Sequence, residues 1–107
     1  MINVSGFKVW PREVEDVLLQ HPSLAEIAVV GVPDPASGEA VKAFGVLKNG
    51  QAVNEQELID FCRSRLAVYK APRFVEFIDA LPKNPAGKIL KRELRTRHHQ
   101  ETVSQPA

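Results

Sequence analysis

The chain has 107 residues, is 44% hydrophobic and 25% charged, and carries a formal net charge of +1. These totals describe one small globular domain with a modest core, too short for an ATP-binding enzyme of ordinary size and too near neutral for a dedicated nucleic-acid binder. The single cysteine, Cys62, excludes an internal disulfide and a cysteine-based zinc site, and no apolar run reaches the length of a membrane span.

Residues 1–6 have neither the basic nor the apolar region of a signal peptide, and a reducing, cytoplasmic setting is expected. Residues 2–10 read as strand, turn, strand: Ile2 and Val4 alternate, Ser5-Gly6 signals the turn, and Phe7, Val9 and Trp10 resume the apolar pattern. Pro11 opens a helix where its missing N–H costs nothing. Glu13, Glu15 and Asp16 suit the positive helix end, and Val14, Val17 and Leu18 form the buried stripe. His21-Pro22 closes that helix, and His21 reads as a helix-end histidine. Residues 24–32 and 40–48 read as two strands paired antiparallel across the turn-rich segment 33–39. Asn54 with Glu57 forms a capping-box-like start to a second helix, which buries Leu58, Ile59, Cys62 and Leu66. Cys62 is then a small buried hydrophobe, since nothing nearby suggests a paired base. A basic connector, Tyr69-Lys70-Ala71-Pro72-Arg73, leads to a third core strand containing Phe74, Val75, Phe77 and Ile78.

The most informative stretch follows. Residues 81–94 read Leu-Pro-Lys-Asn-Pro-Ala-Gly-Lys-Ile-Leu-Lys-Arg-Glu-Leu. Pro82 and Pro85 fix φ and remove donors, which predicts a stiff, extended loop. Gly87 allows a tight turn or a close approach just before Lys88, a charged tip. A helix with Ile89, Leu90 and Leu94 on one face is expected to run to about Thr96, with 98–107 as a frayed tail. The fold class is α+β: a small central sheet of about three strands with two or three helices, preceded by a short β-hairpin. Lys88, Lys91, Arg92, Arg95 and Arg97 give the last helix a basic face, which suits a phosphate, a nucleic acid or, preferred here, solvent and a neighbouring domain.

Proline-Lys-x-x-x-Gly-Lys-Ile before a basic helix resembles the C-terminal signature of adenylate-forming enzymes: acyl-CoA synthetases, luciferases and peptide-synthetase adenylation domains. The resemblance extends through Val4-Ser5-Gly6-Phe7-Lys8-Val9, Glu13-Val14-Glu15-Asp16-Val17, Val29-Val30-Gly31-Val32-Pro33, Ser37-Gly38-Glu39-Ala40-Val41-Lys42 and Tyr69-Lys70-Ala71-Pro72, and is nearest to bacterial long-chain fatty-acid–CoA ligases. It implies that residues 1–97 are the mobile C-terminal lid domain, with an entry hairpin at 1–11 and a lysine loop and last helix at 81–97. It implies that Lys88 is the catalytic lysine, reaching the ATP α-phosphate and the substrate carboxylate, with Gly87 beside it. It implies that Gly6, flanked by Phe7 and Lys8, lines the passage for the pantetheine arm of CoA, where a side chain would block a narrow channel. Tyr69, Lys70 and Arg73 match a stretch that meets the CoA nucleotide in some relatives, although Ala71 stands where some relatives carry a basic residue.

The implied cofactors are ATP and CoA. Mg²⁺ would be held by the N-terminal ATP-binding domain, which is the implied partner, since this chain has no glycine-rich phosphate loop. The implied substrate is a fatty acid; no nucleic acid is expected, and peripheral membrane association of the full enzyme is open. The chain is then a cut piece of a longer enzyme or a natural truncated product, inactive alone. Two alternatives are a stand-alone interaction or regulatory module, and a small basic nucleic-acid binder.

Overall fold

The computed structural model describes residues 1–104. In chain order it contains β1 (Ile2–Val4), β2 (Phe7–Val9), α1 (Pro11–Leu18), β3 (Leu24–Asp34), β4 (Gly38–Leu47), α2 (Glu55–Arg63), a 3-10 turn (Val68–Lys70), β5 (Phe74–Phe77) and α3 (Lys91–Ser104). The expected α+β architecture is present. The entry hairpin joins the sheet instead of merely preceding it, so five strands share one sheet.

β4 is the central strand. Its partner along one edge is β3, antiparallel from Leu24↔Leu47 to Asp34↔Gly38. Its other edge is shared: β1 meets it at Val4↔Gly38, and β5 runs parallel to it from Lys42↔Phe74 to Gly45↔Phe77. Successive strand residues point to opposite faces, and here both faces are covered. Ile27, Val29, Val41 and Ala43 pack with Val14, Leu18, Leu58 and Cys62 on the α1–α2 side. Ala28, Val30, Val32, Ala40 and Phe44 pack with Leu81 and Leu94 on the α3 side. Each fully buried Val, Leu, Ile or Phe among them contributes about 1.5–3 kcal/mol. The long apolar runs of β3 and β4 therefore reflect burial on two sides.

Pro11 occupies the first turn of α1, as the sequence suggests. At α2, Asn54 Oδ1 accepts the Glu57 N–H at 2.8 Å, a cap that stabilises by about 1 kcal/mol. The expected capping box is only half made. The Glu57 carboxylate turns instead to His21 Nε2 at 3.1 Å, while His21 Nδ1 accepts the Ser23 N–H at 3.1 Å. His21 thus carries its proton toward Glu57 and ties the end of α1 to the start of α2.

The last helix departs from expectation at both ends. Ile89 and Leu90 precede it, and it continues past Thr96 to Ser104, through much of the segment expected to be a frayed tail. Nothing in 97–104 breaks a helix: it holds no glycine or proline. The remainder of that expected tail, 105–107, lies outside the described residues.

Candidate functional site

The segment before α3 is a closed hairpin, not an extended loop. Asn84 N donates to Lys88 O at 2.9 Å, and Gly87 N donates to Asn84 O at 2.9 Å. Asn84 Oδ1 also accepts the Ala86 and Lys88 N–H groups, at 3.0 and 2.9 Å. Pro85 occupies the second turn position, its fixed φ suiting the bend, and Gly87, at the fourth, adopts φ +86°. Lys83 and Ile89 then bridge antiparallel. Two prolines stiffen the segment as expected, but the asparagine side chain, taking donors the turn would leave unsatisfied, closes it.

This hairpin is fastened at its base and open at its tip. Lys83 pairs with Glu26, and Lys91 Nζ lies 3.0 Å from Glu15 Oε2. Leu81 and Leu94 sink into the core, with Ile89 packed against them. Lys88 is exposed, and among the described residues no carboxylate pairs with its amine. Of the three lysines on this stretch, the flanking two are bound to the domain and the middle one faces outward.

At the entry hairpin, Ser5 and Gly6 adopt φ of 51° and 86°, so both central residues of the turn are left-handed. Asn3 Oδ1 accepts the Gly6 N–H at 2.9 Å. A Cβ built on Gly6 meets nothing within 4 Å. The turn alone accounts for a glycine there, and the open space leaves its backbone approachable. Lys8 is exposed. Phe7, also exposed, stacks on Tyr69 of the connector, with ring centroids 4.6 Å apart and planes 25° from parallel.

The structure therefore gathers Gly6, Phe7 and Tyr69, which the sequence holds over sixty positions apart. It places the two connector cations differently from a pair of free phosphate ligands. Lys70 Nζ bonds Glu13 Oε1 at 2.9 Å, and that bond raises its pKa. Arg73 lies 3.1 Å from Asp34 Oδ2. An incoming phosphate would have to share each cation with a carboxylate of the domain. A cleft of about 380 Å³ opens beside them, lined by Val4, Ser37, Tyr69, Arg73 and also Arg63. Arg63, exposed in the last turn of α2, was not marked by sequence reasoning, and nothing in its helical spacing distinguishes it.

Other reactive side chains are structural. Cys62 is fully buried, and loss of water pushes its thiol up to about 11. The basic face of α3 is divided. Arg92 and Arg95 are exposed, whereas Lys91 pairs with Glu15 and Arg97 Nε lies 2.5 Å from Glu76 Oε2. Buried Lys42 joins this group, 2.9 Å from Glu76 and 2.8 Å from His98 Nδ1. Among the described residues, no group of three His, Cys, Asp or Glu could hold a metal ion, and no helix is long and apolar enough to cross a membrane.

Comparison with known proteins shows which family the chain belongs to. Residues 13–88 match the model of the AMP-binding enzyme C-terminal domain. A long-chain-fatty-acid–CoA ligase of Escherichia coli O6:H1 is 57% identical over 95 residues, covering 89% of this chain and 17% of the ligase. A solved Mycobacterium tuberculosis fatty acyl CoA synthetase superimposes with a TM-score of 0.88 at 42% identity, covering 94% of this chain and 20% of that one. A Brucella canis acyl-CoA synthetase gives a TM-score of 0.87 at 39% identity, covering 94% and 19%. The chain thus spans about a fifth of the length of the proteins it matches. With most of its sequence matched by one family model and nearly all of its fold shared with solved relatives, the chain belongs to the AMP-binding enzyme C-terminal domain family.

Proposed function

We propose that this chain is the mobile C-terminal domain of an ATP-dependent fatty-acid–CoA ligase, serving both half-reactions from two different loops. The observation that carries the reading is Lys88: an outward cation on a closed hairpin whose neighbouring lysines are tied to Glu26 and Glu15. In the first half-reaction a carboxylate oxygen attacks the α-phosphorus of ATP, and the bond to pyrophosphate breaks. Two anionic groups must meet while negative charge gathers on the phosphoryl oxygens. An ammonium held between them lowers both obstacles. Rigid support matters here, because a charge already in place spends nothing on reorganisation during reaction.

In the second half-reaction the CoA sulfur attacks the acyl carbon, and the bond to AMP breaks. The entry hairpin is assigned to this step. Gly6 offers a bare backbone with open space beside it, and an extended arm carrying amides can lie close to such a surface. Phe7, Lys8, Tyr69, Lys70 and Arg73 are assigned to the CoA side, with the reservation that Lys70 and Arg73 must exchange or share Glu13 and Asp34. The nucleotide pocket, the acyl pocket and the Mg²⁺ ligands are assigned to an N-terminal domain outside this chain, which spans about a fifth of the length of its relatives. A fatty acid as substrate rests on the names of the relatives; a cytoplasmic location belongs to the same reading.

The deciding experiment uses a full-length ligase carrying this domain. Lys88→Ala should slow acyl-adenylate formation about 100- to 1,000-fold, while preformed acyl-adenylate still reacts with CoA at close to its original rate. Equal losses in both steps would remove the lysine assignment.

A further inference from the structure

The entry hairpin is weakly held by its own backbone. Its strands have three residues each, and β1 meets β4 at a single position, Val4↔Gly38. A two-stranded ribbon this short is marginal unless something else fixes it. Ile2 and Val9 anchor its base in the core, and its turn end is held at two further points, by Ser37 in the β3–β4 connection and by Glu39 at the start of β4. Ser37 O accepts the Ser5 N–H at 2.7 Å, and Glu39 Oε1 accepts the Asn3 N–H at 2.9 Å. Asn3 lies on the strand that leads into the Gly6 turn, and Ser5 lies in the turn itself.

Each support is itself seated. Asp34 Oδ2 accepts from the Ser37 amide at 2.9 Å and from its hydroxyl at 2.5 Å, and also meets Arg73. Glu39 is seated by an absence. A Cβ on Gly31 would lie 2.5 Å from Glu39 Oε2 and 3.2 Å from the Ile2 side chain. Gly31 has no positive φ, so the glycine is explained by space and not by backbone conformation. The stretches around Gly31 and Glu39 thereby acquire a physical role beyond the strands they build.

We propose that Glu39, seated by Gly31, and Ser37, seated by Asp34, are positioning residues for the Gly6 turn and set the rate of the CoA-dependent half-reaction without touching substrate. The inference rests on the assignment of the entry hairpin to that step. Misplacing a reacting group by about 1 Å can cost about 100-fold in rate, so a slack hairpin should be felt at this step first.

The test compares the two half-reactions in a full-length ligase carrying this domain. Glu39→Ala should slow the reaction of preformed acyl-adenylate with CoA about 10- to 100-fold relative to acyl-adenylate formation. Glu39→Gln, whose amide oxygen can accept the same Asn3 N–H, should restore most of that loss. Gly31→Ala should slow the same step, because its Cβ displaces the end of the Glu39 side chain and presses on Ile2 of the hairpin. Should Glu39→Ala fail to fold, the Glu39→Gln and Gly31→Ala pair carries the comparison. Parallel loss in both half-reactions, or an unaffected CoA step in Gly31→Ala, overturns the proposal. Gly6→Leu separates the two levels of inference. If it spares the CoA step, the hairpin assignment itself is wrong; if it blocks that step while Glu39→Ala does not, only the positioning role is lost.

Discussion

Asn84 and Lys88 hold each other twice: Asn84 N donates to Lys88 O at 2.9 Å, and Lys88 N donates to Asn84 Oδ1 at 2.9 Å. The catalytic candidate is therefore oriented by a neutral residue four positions earlier. Asn84→Ala removes the acceptor for two amides, and the lost bonds should cost about 1 kcal/mol each. Acyl-adenylate formation should fall about 10- to 100-fold through loss of orientation. Rapid-quench measurement of both half-reactions checks this; an Asn84→Ala enzyme with normal adenylation would show that the clasp is dispensable.

The stack of Phe7 on Tyr69 joins the entry hairpin to the connector. Such pairs contribute about 0.5–1.5 kcal/mol beyond simple burial. Phe7→Ala and Tyr69→Ala should therefore show a coupling of that size in a double-mutant cycle read by urea unfolding. Strict additivity would mean that the two rings meet without holding each other.

Cys62 has a thiol pKa pushed up from 9.0 to about 11 by burial. Well below pH 9 its thiolate fraction should be about 100-fold below that of an ordinary cysteine, and a thiol-selective disulfide reagent should modify it only on unfolding. The unfolded chain releases this proton near 9.0 and the native chain only near 11. Between those values the unfolded state binds fewer protons, so the contribution of Cys62 to stability falls as pH rises through that window. Cys62→Ala should flatten this part of the pH–stability profile; an unchanged slope would assign it to other groups.

The isolated chain should fold cooperatively, because both sheet faces are covered within it. It should form neither acyl-adenylate nor acyl-CoA, since the proposed reaction centre lies in another domain. Turnover by the 107-residue chain alone would overturn the division of labour.

The parts of the fold visible in the sequence were those fixed by local pattern. β3 stands out by its β-branched residues and β4 by its apolar alternation, and Asn54 announces α2 by capping chemistry. Less was visible where distant residues meet. Nothing local shows that β5 joins β4 in parallel, or that Lys70 finds Glu13 across 57 positions. The Lys88 stretch is recognisable from its residue pattern, but its shape is not. Proline suggests extension, whereas two backbone bonds and two bonds to the Asn84 side chain close the hairpin. Arg63 went unnoticed because a helical arginine carries no mark of the cleft it borders until the connector is folded against it.

The central sheet has a consequence for how the domain works. The Lys88 hairpin takes root in the Leu81–Leu94 side, whereas Ile2 and Val9 of the entry hairpin are embedded in the opposite hydrophobic layer. The sheet lies between the two footings. Under the proposed function, an active centre beyond the chain meets these loops by turns, and exchanging one for the other requires the whole plate to swing, with neither loop needing to reshape itself.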